Sequence, residues 1–231
     1  MNNQLANIPA INSGSLSSGS HSWALIMDAC PMTRAGLCAV LKRSLFRTGE
    51  IVMLNRASDI PSYITSNSPN IIVMDLCGEN ESVLQGLRSI ASCQQRWPHS
   101  PIVICTTLTD IRFLYQVKLL KILSICHKHD TLQELEHCID AAMAWSYRDS
   151  PAIQQLFDCR SSHFSVLTSR EIDVLTLLFA GYSVSHTALK MQRDIRTISS
   201  HKRSAMAKLG YRNNYELFSR GKWMAKNGLF N

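Results

Sequence analysis

From residue 23 to about residue 146, short runs of consecutive apolar residues alternate with longer stretches in which apolar residues recur at helical spacing. The runs lie at 24–27, 51–54, 71–74, 102–105 and 123–126. Those at 71–74 and 102–105 are apolar throughout rather than at every second residue. This predicts strands buried on both faces, and hence a parallel sheet between two layers of helices. Between the first two runs Leu37, Val40, Leu41 and Leu45 fall on one helix face; after the last, Leu132, Leu135, Ile139 and Met143 do the same. Thr131 and Glu134 have the spacing of a capping box at the start of that final helix. Five such strand–helix units predict a small α/β domain, a doubly wound parallel sheet, over 23–146.

Residues 147–164 lack a period, with breaks at Ser150-Pro151 and Ser161-Ser162, and read as a linker. From Thr168 onward the pattern is purely helical. Thr168 and Glu171 form a second capping box, Ile172, Leu175 and Phe179 follow on one face, and Gly181 supplies a stop. Further helices are expected at 184–191, 196–209 and 214–225, so residues 165–231 form an all-α, four-helix domain. At about 100° per residue, Ile198, Ala205 and Leu209 fall on one side of the third helix, with Met206 at the margin. The opposite side carries Arg196, Ser199, Ser200, Arg203, Ser204 and Ala207, flanked by Lys202, Lys208 and His201. Small polar residues let a helix approach a groove closely, and guanidinium groups bond phosphates or guanine edges in pairs. A two-helix lead-in, a tight turn and such a helix are the parts of a helix-turn-helix. The same face would also suit a solvated surface or a protein-docking one.

Charge favours the nucleic-acid reading. Residues 165–231 hold 11 of the 24 basic residues and only 4 of the 17 acidic ones, so the whole excess of +7 lies there. A neutral domain joined to a polyanion-binding module has this asymmetry. Residues 1–22 contain no Asp, Glu, Lys or Arg and few large apolar groups, which predicts a disordered tail. That start also has no basic stretch followed by an apolar one, so nothing directs export, and the eight cysteines are expected to be reduced in a cytoplasmic protein. Cys38, Cys77, Cys93, Cys105, Cys126, Cys138 and Cys159 sit among apolar residues, where a thiol behaves as a small hydrophobe. Cys126, His127 and His129 are too few for a zinc site without a second cluster. No metal, no cofactor and, without an apolar run of about 20 residues, no membrane span are expected.

The stretch LTSREIDVLTLLFAGYSVSHTALKMQRDIRTISSHKRSAMAKLG resembles the LuxR/FixJ-type DNA-binding domain, in its L-T-x-R-E start, the Gly after the first helix and the T-I-x-x-H core of the third. Within it, TISSHKRSAMAKLG most closely resembles the capsule-synthesis (Rcs) phosphorelay branch, which also has a Lys at the position of Lys202. The resemblance implies base contacts from Ser199, Ser200 and Arg203 and phosphate contacts from Arg196, Thr197 and Lys202. Thr187 departs from the family, which is usually apolar there.

The front domain resembles a response-regulator receiver. That resemblance implies an acceptor Asp at the end of the third strand, two acids after the first strand for Mg²⁺, a hydroxyl residue and a Lys. Asp75, Asp28 and Lys128 fit. The second acid is replaced by Ala29, Cys105 or Thr106 must stand for the hydroxyl residue, and no Met-Pro follows Asp75. Losing one carboxylate lowers the charge and ligand count of an ion site together, so the four residues Asp75, Asp28, Thr106 and Lys128 read as a vestigial pocket, with Lys128 as an ion-pair partner of the two acids.

A degenerate receiver on an intact helix-turn-helix implies an auxiliary transcription regulator. It would act on double-stranded promoter DNA as a heterodimer with an Rcs-type response regulator, using the front domain to dimerise, with RNA polymerase a further candidate partner. One helix-turn-helix reads only a half-site, so two linked modules are needed for affinity. The alternatives are a phosphorylation-controlled homodimer and a protein-binding adaptor. No Ser/His/Asp order, glycine-rich phosphate loop or paired catalytic carboxylates point to an enzyme, and His99, His137 and His163 read as surface or core residues.

Overall fold

The computed structural model describes residues 22–44, 49–62, 68–158 and 165–225. Residues 1–21 of the expected tail, and Leu45, Cys159 and His163, lie outside them. The five apolar runs form β1 (Trp23–Met27), β2 (Glu50–Leu54), β3 (Ile71–Met74), β4 (Ile102–Thr106) and β5 (Ser124–His127). All neighbours are parallel, in the order β2-β1-β3-β4-β5. Every residue of β1, β3 and β4 is buried, because helices cover both faces.

On one face α2 (Val83–Arg96) and α3 (Ile111–Leu119) bury Leu84, Leu87, Ile90, Phe113 and Leu114 against Leu25, Met27, Ile72 and Met74. On the other, α1 (Pro31–Ser44) and α4 (Leu132–Met143) bury Leu37, Leu41 and Ile139 against Ala24, Ile26 and Val73. Packing rather than propensity forms α1. Its internal Gly36 costs about 1 kcal/mol, whereas burying Leu37, Val40 and Leu41 contributes roughly 2 kcal/mol each. Gly86 is required by the approach of α2 to the sheet, since a Cβ there would fall 1.9 Å from the Leu76 carbonyl oxygen.

The second unit departs from the expected repeat. Its described residues form a six-residue 3₁₀ helix, Ala57–Ser62, containing Pro61. The buried Glu81 holds that turn, its carboxylate accepting from the amides of Ala57 at 2.7 Å and Ser58 at 2.8 Å. The Thr131 cap forms, accepting from the Glu134 amide, but the reciprocal half of the expected capping box does not. The Glu134 carboxylate accepts from Arg148 at 3.0 Å instead, an ionic bond it gains by turning away from the helix end. The segment read as a linker contains regular structure in its described residues, 147–158. The amides of Arg148 and Ser150 donate to the carbonyls of Leu123 and Ile125, along the open edge of β5. Then α5 (Pro151–Asp158) begins, with Ile153 fully buried. The breaks at Ser150-Pro151 thus start a helix, Pro being well tolerated in a first turn.

The second domain comprises α6 (Ser169–Phe179), α7 (Val184–Met191), α8 (Ile195–Lys208) and α9 (Asn214–Ala225). The Thr168 capping box is complete, with Thr168 Oγ1 accepting from the Glu171 amide and Glu171 accepting from the Thr168 amide. Gly181, at φ 91°, turns the chain out of α6. Ile198, Ala205 and Leu209 are fully buried, as their common face requires.

Candidate nucleic-acid interface

Helix α8 starts where Asp194 caps it. The Asp194 carboxylate accepts from the Arg196 amide at 2.6 Å, and Gln192, at φ 52°, makes the tight turn from α7. Burial of Ile198 and Ala205 then fixes which side of α8 meets solvent. Arg196, Thr197, Ser200 and Arg203 are exposed, while Ser199 and Lys202 are half-buried on the flanks. The Lys202 ammonium lies 5.8 Å from the centroid of the Phe218 ring on α9. All six residues lie on one helix, in an arc of guanidinium, ammonium and hydroxyl groups.

Two residues placed on or beside that arc have another task. Ser204 donates to Glu171 at 2.6 Å, and the Lys208 ammonium donates to the same carboxylate at 2.8 Å. Glu171 is only 3% exposed. Burial alone would raise its pKa, but Lys208, Ser204 and the Thr168 cap outweigh that and hold it below the usual carboxylate range. Glu171, the third residue of α6 and one half of its capping box, therefore also fixes the position of α8. A capping-box pattern reveals only the first of these roles. The departure at Thr187 has a visible cost, for its hydroxyl is fully buried and has no hydrogen-bond partner among the described residues.

At the carboxyl ends of the strands, the Lys128 ammonium donates to Asp75 Oδ2 at 2.6 Å and lies 2.6 Å from Asp28 Oδ2. Asp28 is 1% exposed, and that burial raises its pKa despite the lysine. Burial opposes the charge on Lys128 too, yet Asp75 and Asp28 together hold its pKa raised. Of the two hydroxyl candidates, Cys105 faces the core with Cys126 and Cys138, whereas Thr106 ends β4. The Thr106 hydroxyl accepts from the Leu108 amide at 3.2 Å, and its carbonyl accepts from the Lys128 amide at 3.0 Å. The structure thus brings Asp28, Asp75 and Lys128 into contact and joins Thr106 to them through the backbone. Ala29 leaves such a site one carboxylate short, and the Lys128 ammonium lies against both carboxylates that remain. These residues do not fit such an ion. Among the described residues, no group of three or more His, Cys, Asp or Glu side chains could hold a metal elsewhere.

A receiver-like sheet carrying a helix-turn-helix domain with its second motif helix open to solvent defines a class of transcription regulator. Residues 23–149, more than half of the chain, match the family described as transcriptional regulator RcsA, N-terminal dimerisation domain. Residues 165–220 match the bacterial regulatory proteins of the luxR family. The chain belongs to this RcsA-type family and is a DNA-binding transcription regulator with a luxR-type helix-turn-helix. It is 26% identical over 195 residues to the transcriptional regulatory protein RcsA of Klebsiella aerogenes, covering 84% of this chain and 90% of that one. It is 27% identical over 202 residues to RcsB of Escherichia coli (strain K12), covering 84% and 91%. The fold is shared with RcsB of Salmonella enterica serovar Typhimurium, solved on the rprA promoter with the phosphomimetic BeF3-, at a TM-score of 0.56 and 22% identity over 87% of this chain and 98% of that one.

Proposed function

We propose that this regulator reads promoter DNA with Arg196, Thr197, Ser199, Ser200, Lys202 and Arg203, in a heterodimer with an Rcs-type response regulator and without phosphorylation of its own. The exposed arc of α8 carries the DNA assignment. Ser199, Ser200 and Arg203 take base edges, and Arg196, Thr197 and Lys202 take phosphates on either side. Because serine hydroxyls accept or donate to several bases, Arg203 carries most of the sequence discrimination within one half-site.

The ammonium between Asp28 and Asp75 supports independence from phosphorylation, since it neutralises the pocket from within. The front domain, 23–146, is then a pairing surface rather than a switch, in line with the dimerisation named for its family. RNA polymerase is the further partner of such a regulator. The protein works in the cytoplasm and catalyses no reaction. Among the described residues no helix is long and apolar enough to cross a membrane.

The test is a salt-titrated binding assay on promoter duplexes, with the protein alone and with an Rcs-type response regulator added. Specific binding that emerges or sharpens only in the mixture supports the heterodimer; full affinity and specificity alone would leave an autonomous homodimer. Absence of salt-dependent duplex binding in both would return the protein to the adaptor class.

A further inference from the structure

The two domains are joined by more than the chain between them. Gln116 of α3 is 2% exposed and spends its side-chain amide on the start of the second domain. Its Nε2 donates to the Ser165 carbonyl at 2.9 Å, and its Oε1 accepts from the Leu167 amide at 2.8 Å. Beside this clasp Arg88 of α2 pairs with Asp173 of α6. The Arg112 guanidinium lies 5.1 Å from the centroid of the Tyr211 ring. Leu167, Ile172 and Tyr211 belong to the same continuous core as Leu87 and Phe113.

The clasp leads directly into the reading domain. Thr168, next in the chain after Leu167, caps α6 by bonding Glu171, and Glu171 in turn holds Ser204 and Lys208 of α8. Hydrogen bonds linked through the Leu167–Thr168 peptide therefore run from a buried amide in the front domain to α8. Docking in this way leaves Arg196, Thr197, Ser200 and Arg203 exposed, so the clasp does not cover the reading face.

We infer that Gln116 is a positioning residue for DNA reading, holding α8 at one orientation relative to the front domain so that a paired molecule presents its two reading helices already set. This rests on the paired reading proposed above. A module held in place meets the orientational cost of binding in advance, which raises its effective concentration at the second half-site. Binding to one isolated half-site gains nothing from it.

The experiment uses the full chain, with spin labels carried on unnatural amino acids at the exposed positions Lys42 and Asn213, and compares the wild type with Gln116→Leu and Gln116→Glu. Leucine is of similar size and removes both bonds. Glutamate keeps the acceptor for the Leu167 amide and loses the donor to Ser165, so it reports on the clasp if the leucine variant folds poorly. Interdomain distances are measured without DNA. Affinities are then measured, with the partner regulator, for a duplex selected by the wild-type pair and for the same duplex cut to one half-site. The distance distribution should broaden and affinity for the paired duplex should fall by about tenfold or more, with the salt slope and the half-site affinity unchanged. A distribution that stays narrow, or one that broadens with paired affinity intact, overturns the assignment. A wild-type chain that binds neither duplex sinks the DNA reading instead, a failure separate from that of the clasp because the distances need no DNA.

Discussion

Lys128 and Glu171 are buried or nearly buried ionised groups whose partners decide their effect. Lys128 faces two carboxylates, so Lys128→Met should leave an uncompensated pair of acids and cost about 3 kcal/mol at neutral pH. Because the folded pKa of Lys128 is raised, its contribution is complete below the ordinary lysine value of 10.5 and fades only above that. The variant behaves otherwise. Asp28 already has a raised pKa through burial, and without the ammonium it takes up a proton more readily still. Urea unfolding should therefore show a smaller loss at pH 5 than at pH 8, and a loss independent of pH would mean that the carboxylates are not facing each other as ions. Glu171 has the opposite sign. Its folded pKa lies below the ordinary 4.5, so its stabilisation is present above that value and is lost as pH falls through the folded one. Glu171→Gln should cost about 2 kcal/mol at pH 7. It should also flatten the acid limb of the stability profile, and a profile with unchanged slope below pH 4.5 would remove Glu171 from that role.

Elements with continuous apolar runs or complete local caps were legible in the sequence. Residues 71–74 coincide with β3, and 184–191 and 214–225 coincide with α7 and α9, because patterning and termination signals agree there. The short second unit was less so. Pro61 and the cap supplied by Glu81 favour a 3₁₀ turn, and Glu81 lies 23 and 24 residues away in sequence, a distance over which no period carries. The helix Pro151–Asp158 was hidden for a similar reason, since its order comes from the edge of β5 and from Ile153 rather than from its own short pattern. Along α8 the apolar side was legible, and with it the side left to solvent. That Ser204 and Lys208 turn inward to Glu171 depends on a contact 33 and 37 residues distant. The departure at Thr187 carries its own prediction for α7. Thr187→Val removes a buried hydroxyl without a partner while keeping nearly the same volume, and should stabilise the second domain by about 1 kcal/mol. Thermal unfolding would then shift upward by roughly 4–8 °C for a domain of this size, and a downward shift would imply that the hydroxyl has a bond in solution.

For the molecule as a whole, the division of charge and the division of structure coincide. The basic excess lies in the domain that carries α8, whereas the front domain is neutral and its Asp28–Asp75 pair is closed by Lys128. Electrostatic attraction should therefore come from the second domain alone, and sequence discrimination from very few of its side chains. Arg203→Ala and Lys202→Ala separate these two contributions. Loss of a base contact by Arg203→Ala should weaken specific binding by about 1–3 kcal/mol and narrow the gap between specific and non-specific duplexes. Loss of a phosphate contact by Lys202→Ala should weaken both duplexes alike and lower the slope of log affinity against log salt by about one. The Lys202 ammonium rests beside Phe218 in the free protein, so it must leave that ring to reach a phosphate. A cation–π contact at such a site holds only about 0.5–1 kcal/mol, which a phosphate bond can replace. If Lys202→Ala leaves the salt slope unchanged, Lys202 serves α9 instead, and the phosphate contacts of α8 reduce to Arg196 and Thr197.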